Sequence, residues 1–81
     1  MNLEVITPDK NVFSGEVTAV TLTGKNGSFQ ILKDHAPMVS TLAKGDLTIE
    51  SAGKSQTMIV DGGVVEVLNN KVLVLAEAVV A

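Results

Sequence analysis

The sequence predicts an all-β domain: a flattened sandwich or barrel of about eight to ten short, mostly antiparallel strands, built from residues 1–81 as one domain. Three observations lead there. Short apolar or alternating runs recur at intervals of roughly 8 to 12 residues, each bounded by Gly, Pro, Asn or Asp. No window carries a sustained helical period with caps, and the last apolar segment, from Val72 onward, is too β-branched for a helix. A chain of 81 residues has room for a single core, and no repeat, linker or low-complexity stretch divides it.

The elements follow in order. Leu3 and Val5 begin a strand that Thr7-Pro8-Asp9 turns, since Pro fixes φ and Asp caps its own backbone. A second strand starts at Val12-Phe13-Ser14-Gly15-Glu16-Val17. There Val17 and Ala19 lie on one face but Val20 and Leu22 on the other, a phase change that predicts a bulge or a strand shared between two sheets. Gly24-Lys25-Asn26-Gly27 is a hairpin turn, with Asn-Gly supplying positive φ. Phe29, Ile31 and Leu32 form the next strand. Lys33-Asp34-His35-Ala36-Pro37 breaks it, because Pro37 lacks a donor and restricts its predecessor.

A short strand is expected over 38–43, closed by Lys44-Gly45-Asp46. Asp46-Leu47-Thr48-Ile49-Glu50 alternates as a half-buried antiparallel strand should, and Ala52-Gly53-Lys54-Ser55 turns it back. A strand over 56–60, a turn at Asp61-Gly62-Gly63, a strand over 64–68, the turn Asn69-Asn70 and a strand over 71–79 complete the expected order. Glycines 15, 24, 27, 45, 62 and 63 are all read as turn or bulge residues.

Composition removes several function classes. Nine acids against six bases give a net charge of -3, and Phe13 and Phe29 are the only aromatics, so there is neither a phosphate-binding patch nor a base-stacking platform for nucleic acid. Without cysteine there is no disulfide and no thiolate zinc cage, which favours a reducing compartment. Met1-Asn2-Leu3-Glu4-Val5 does not read as a secretory signal, and the longest apolar stretches fall far short of the ~20 residues that span a bilayer. Hydrophobic residues nevertheless make up 46% of a chain whose small interior limits what can be hidden, so apolar surface is expected to remain for a partner.

Reactive chemistry is missing from the pattern. Gly24-Lys25 lacks the second glycine, the Ser or Thr and the helix of a phosphate loop. His35 is the only histidine and has no nucleophile to activate; it reads as a loop residue bonded to nearby backbone. The acids, Glu4, Asp9, Glu16, Asp34, Asp46, Glu50, Asp61, Glu66 and Glu77, are scattered rather than gathered in a cation loop. Asn26-Gly27-Ser28 matches a glycosylation acceptor but is more simply a turn. The expectation is no catalytic residue, no metal and no cofactor.

An ordered set of short motifs then points to a family. Val12-Phe13-Ser14-Gly15 comes first. Thr23-Gly24-Lys25-Asn26-Gly27-Ser28-Phe29-Gln30-Ile31-Leu32 follows, then His35-Ala36-Pro37 and Lys44-Gly45. Asp61-Gly62-Gly63-Val64-Val65-Glu66-Val67 and the closing Val72-Leu73-Val74-Leu75-Ala76-Glu77-Ala78 complete it. Each is weak alone; in this order, over essentially the whole chain, they resemble the epsilon subunit of bacterial F-type ATP synthases.

That resemblance implies a ten-strand sandwich in the rotor's central stalk, joining the gamma subunit to the c-ring and helping to couple proton translocation to ATP synthesis without itself making or breaking bonds. It implies a c-ring side at Lys25, Asn26, Gly27, Ser28 and His35, and a gamma side at Asp61, Gly62 and Gly63. Ser28, where relatives often carry an acid, and Gln30, where they often carry glycine, depart from the pattern. The implied location is the cytoplasmic face of the bacterial inner membrane, peripheral and without bilayer insertion. Family members commonly continue into two carboxy-terminal helices that regulate hydrolysis and in some bind ATP. This sequence ends at Ala81, so neither an ATP site nor an inhibitory arm is expected in it. The competing readings are a swinging-arm carrier, for which Lys25, Lys54 and Lys71 lack the flanking residues, and a small-ligand-binding β-domain.

Overall fold

Strand-forming residues dominate nearly every stretch between the turn signals, and the computed structural model describes residues 1–80 accordingly. It shows β1 (Asn2–Ile6), β2 (Asn11–Glu16), β3 (Ala19–Gly24), β4 (Gly27–Leu32), β5 (Met38–Ser51), β6 (Lys54–Leu68), β7 (Lys71–Ala76) and β8 (Val79–Val80). The hydrogen-bonded order is β2-β1-β7-β6-β5-β3-β4, with β8 added to β6. All pairs are antiparallel except β1 with β7.

Two long strands turn this single ladder into a sandwich. The first part of β5 pairs with the last part of β6, Met38 opposite Val67 through Leu42 opposite Gly63, and this half of β6 also pairs with β7. The remainder of β5 pairs with the first part of β6, Lys44 opposite Asp61 through Ser51 opposite Lys54. This half of β5 also pairs with β3, and this half of β6 with β8. One layer is thus β2-β1-β7 with one end of the β5–β6 hairpin; the other is β4-β3 with its other end and β8.

The expected turns at Lys44-Gly45-Asp46 and Asp61-Gly62-Gly63 are therefore corrected. Both lie inside continuous strands of 14 and 15 residues, where the hairpin passes from one layer to the other. Gly62 and Gly63 do have irregular backbone but do not reverse the chain, and Gly45 pairs regularly opposite Val60. Gly63 has φ 137°, and a Cβ there would run into the Leu75 carbonyl oxygen across the ladder. Gly45 leaves room for the Thr23 side chain, whose hydroxyl donates to the Asp46 carbonyl at 3.0 Å. Such close approaches bend a strand without ending it.

The other punctuation holds. Thr7 and Lys10 close the first turn, the Thr7 amide donating to the Lys10 carbonyl at 2.9 Å. The phase change around Val17 marks two strands, β2 in one layer and β3 in the other, with Val17 buried at the crossing. Ala52-Gly53 and Asn69-Asn70 each have positive φ at both positions, as two-residue hairpins matching the strand twist require. In the 24–27 turn positive φ falls at Gly27 alone. The last expected strand divides at Glu77 and Ala78 into β7 and β8.

The core lies between the layers. Leu3, Val5, Val65, Val67, Val72 and Val74 meet Val20, Leu22, Ile31, Leu47, Ile49 and Val60, all buried. Phe13 and Phe29 pack at its margins. Among the described residues no buried side chain is polar or charged, and no buried side-chain N or O lacks a partner.

Candidate interaction surfaces

A two-layer sandwich has two outward faces, and here they differ. On the β1-β7-β6-β5 layer, alternate residues point into the core, leaving their neighbours outside. Register places Thr41, Val64, Leu75 and Ile6 in one row across the four strands, and Val39, Glu66, Leu73 and Glu4 in the next. Val39 is 69% exposed, Leu75 48% and Leu68, at the end of β6, 52%. One shallow depression on this face is lined by Ile6, Thr7, Pro8, Leu75, Ala76 and Glu77, another by Glu4, Glu66, Leu68, Asn69, Lys71 and Leu73. The Lys71 ammonium stands 3.9 Å from Glu4 within the apolar strip.

The opposite face is hydroxylic. Gln30, Thr21, Thr48 and Thr57 form one cross-strand row. The Gln30 amide donates to Thr21 Oγ1 at 3.3 Å, and the Thr48 and Thr57 hydroxyls bond at 3.1 Å. Asp46 and Glu50 stand beside this row; Ile59 and Val80, paired across β6 and β8, form an apolar corner, and Leu32, exposed at the end of β4, is a second apolar spot.

The residues picked from sequence fall at three places rather than two. Lys25, Asn26, Gly27 and Ser28 are all exposed at the β3–β4 hairpin tip, where they border Ser40 and Thr41 of β5. His35 is not with them. It follows the far end of six-residue β4, about 20 Å along the strand from that tip. Half-buried, it donates its backbone amide to the Leu32 carbonyl (3.2 Å), and its Nδ1 lies 2.7 Å from the Ala36 carbonyl oxygen, as expected for a loop histidine bonded to backbone.

The third place is Asp61-Gly62-Gly63, at the bend of β6. The Asp61 amide donates to the Ala78 carbonyl (2.9 Å), and the Glu77 amide to the Gly62 carbonyl (3.2 Å). Only Asp61 is exposed; Gly62 and Gly63 are half-buried, and Gly63 leads directly into Val64 of the apolar strip. Among the described residues no cluster of His, Cys, Asp and Glu could hold a metal ion, and no helix is long and apolar enough to cross a membrane.

Residues 1–81 match the family model described as the β-sandwich domain of the ATP synthase Delta/Epsilon chain. The chain belongs to this family. Among its relatives, the ATP synthase epsilon chain of Nitratidesulfovibrio vulgaris is 45% identical over 78 residues, covering 96% of this chain and 58% of that one. The epsilon chain of Chlorobium limicola is 42% identical, covering 95% of this chain and 89% of the relative. This member of the family thus spans a little over half of one epsilon chain and most of another.

Solved structures agree. A chain in the Euglena gracilis mitochondrial ATP synthase assembly of OSCP, F1 and c-ring superposes with a TM-score of 0.90 at 27% identity, covering 96% of this chain and 51% of that one. A chain in the Tetrahymena thermophila mitochondrial ATP synthase central stalk and c-ring superposes with a TM-score of 0.86 at 19% identity, covering 98% of this chain and 64% of that one, and shares its fold.

Sequence reasoning missed the apolar strip as a defined face. A signal for it exists in β7, Lys71-Val72-Leu73-Val74-Leu75-Ala76, which is apolar in both phases. A strand of a simple two-layer sandwich needs only one apolar face; apolar residues on both report a second covered side.

Proposed function

We propose that this chain is the β-sandwich of a non-catalytic central-stalk subunit of a bacterial F-type ATP synthase, joining gamma to the c-ring and helping to couple proton translocation to ATP synthesis. Family membership supplies the assembly. The observation that carries the contact is the outward apolar strip in which Val39, Leu68 and Leu75 are exposed and Ile6, Val64 and Leu73 half-buried. Gamma covers this strip together with the Asp61-Gly62-Gly63 bend that adjoins it. The hairpin tip at Lys25, Asn26, Gly27 and Ser28, which neighbours the bend through Leu42, the residue paired with both Gly24 and Gly63, faces the c-ring. Resemblance groups His35 with that tip; we propose that it meets gamma instead, because it follows the far end of β4, in a loop bonded to the β6–β7 turn beside Leu68.

The reading needs no nucleotide, metal or cofactor in this polypeptide, because its task is mechanical: short loops on a filled core resist deformation when two partners load it. The complex would sit on the cytoplasmic face of the inner membrane without inserting this chain into lipid.

The test mixes the purified chain with the gamma subunit of the same organism, using size-exclusion chromatography with light scattering. A 1:1 complex at micromolar concentration is the expected result. Separate elution of two folded proteins would overturn the gamma contact.

A further inference from the structure

Asn70 occupies the second central position of the β6–β7 hairpin, with φ 61°. That position of such a turn is best filled by glycine, and an asparagine there carries a conformational cost. Its two oxygens are both engaged. The Asn70 carbonyl accepts from the Asn2 amide at 3.1 Å, which ties the start of β1 to the turn. Its side-chain Oδ1 accepts from the Asp34 amide at 2.8 Å, reaching a segment 36 residues away in sequence. Asp34 itself has φ 65°, so this bond holds a residue whose left-handed backbone is unfavourable for anything but glycine, asparagine or aspartate. The next residue's amide closes on Leu32. The loop of residues 33–37, which connects the two layers, is thus tied to the β6–β7 turn by a side-chain carboxamide as well as to its own strand by the Leu32 carbonyl.

We infer that Asn70 is a positioning residue: its carboxamide clamps the 33–37 loop and thereby sets the surface that His35, Ala36 and Pro37 offer to the partner subunit. The clamp stands on the geometry alone; its consequence for the partner rests on the function proposed above.

Asn70→Gly separates the two roles an asparagine can have here. It keeps, and eases, the positive φ of the turn while deleting the acceptor. Were the residue only a turn former, the variant would be unchanged or more stable, with the loop undisturbed. Under the clamp, Asp34 amide exchange followed by NMR on the 81-residue chain rises about five- to tenfold, the effect of losing one net hydrogen bond. Exchange in the β5–β6 ladder stays as in the wild type. Asn70→Asp keeps an oxygen at the same place and restores Asp34 protection. Asn70→Lys removes the acceptor by a second route and repeats the loss.

Unchanged Asp34 exchange in both Asn70→Gly and Asn70→Lys would overturn the clamp. Affinity for gamma is expected to fall about three- to tenfold in Asn70→Gly, since a loosened loop must be reordered on binding. A released loop with unaltered affinity would overturn the partner consequence. Failure of the wild type to bind gamma would overturn the proposed function instead, and the exchange measurements would still decide the clamp.

Discussion

Strands β7 and β5 lie in the same sheet order yet are written in different alphabets. β7 reads Lys71-Val72-Leu73-Val74-Leu75-Ala76, apolar on both sides of the pleat. The second half of β5 reads Asp46-Leu47-Thr48-Ile49-Glu50, apolar on one side only. Both bury one side: Val72, Val74 and Ala76 in one layer, Leu47 and Ile49 in the other. What differs is the side turned away from the core. Outside β7, Leu73 and Leu75 join Ile6 and Val64 in an apolar strip. Outside β5, Thr48 joins Thr21 and Thr57 in a hydroxyl row that satisfies itself and meets water. Folding requires one apolar side per strand; a second such side points to a task beyond folding.

The comparison can be broken most severely where β6 passes between the layers. Gly63→Ala places a methyl against the Leu75 carbonyl and demands a φ that alanine avoids. Strain and overpacking together are expected to cost about 3 kcal/mol, or roughly 12 to 24 °C in melting temperature for a domain of this size. Thermal unfolding followed by circular dichroism measures it. A loss below about 1 kcal/mol would show that the bend relaxes freely and does not hold the two faces in fixed relation.

The faces themselves are distinguished by charge. Leu75→Asp, at a site 48% exposed, is expected to leave the melting temperature nearly unchanged and to weaken gamma binding about 30-fold or more, as removal of a central apolar anchor does. Isothermal titration reads the affinity. Thr48→Lys, on the hydroxyl face, is expected to change that affinity by less than about twofold, costing only the bond to Thr57, about 0.5 to 1 kcal/mol of stability. Equal loss of binding in the two variants would erase the functional difference between the faces.

The smallest effect lies at the other end of the hairpin. Ala52 is held at φ 51°, a conformation in which alanine is strained and asparagine is tolerated. Ala52→Asn is expected to gain about 0.5 to 1 kcal/mol, or roughly 2 to 8 °C, with gamma binding unaffected. A gain in affinity as well would extend the interface to this tip.

Much of the fold was legible because its signals are local. Period-two alternation, the Asn-Asn and Ala-Gly turns and the break before Pro37 depend on residues a few positions apart, and each stands where it was expected. The bend at Gly62-Gly63 is legible as irregular backbone but not as a bend, and Gly45 suggests a turn where the strand in fact continues. Glycine permits a turn, a bulge or a close approach alike, and the choice at Gly63 is made by the Leu75 carbonyl, twelve residues away. The candidate site divides in the same way. The Lys25-to-Ser28 tip could be read from its own sequence, whereas the separation of His35 from it follows from where the ends of β4 fall.

By itself the sequence determined the class, the family motifs and the excess of apolar side chains over what one small core can hide. Only the tertiary structure decided where that excess lies. Ile6, Val39, Val64, Leu68, Leu73 and Leu75 come from four strands and form one surface only when the ladder sets their register. It also decided that Asn70 meets Asp34, since nothing in a two-residue turn specifies which distant amide its side chain will find. The physical reason is one of range: backbone preference and side-chain alternation act over a few residues, while register and packing bring together groups that the chain keeps far apart.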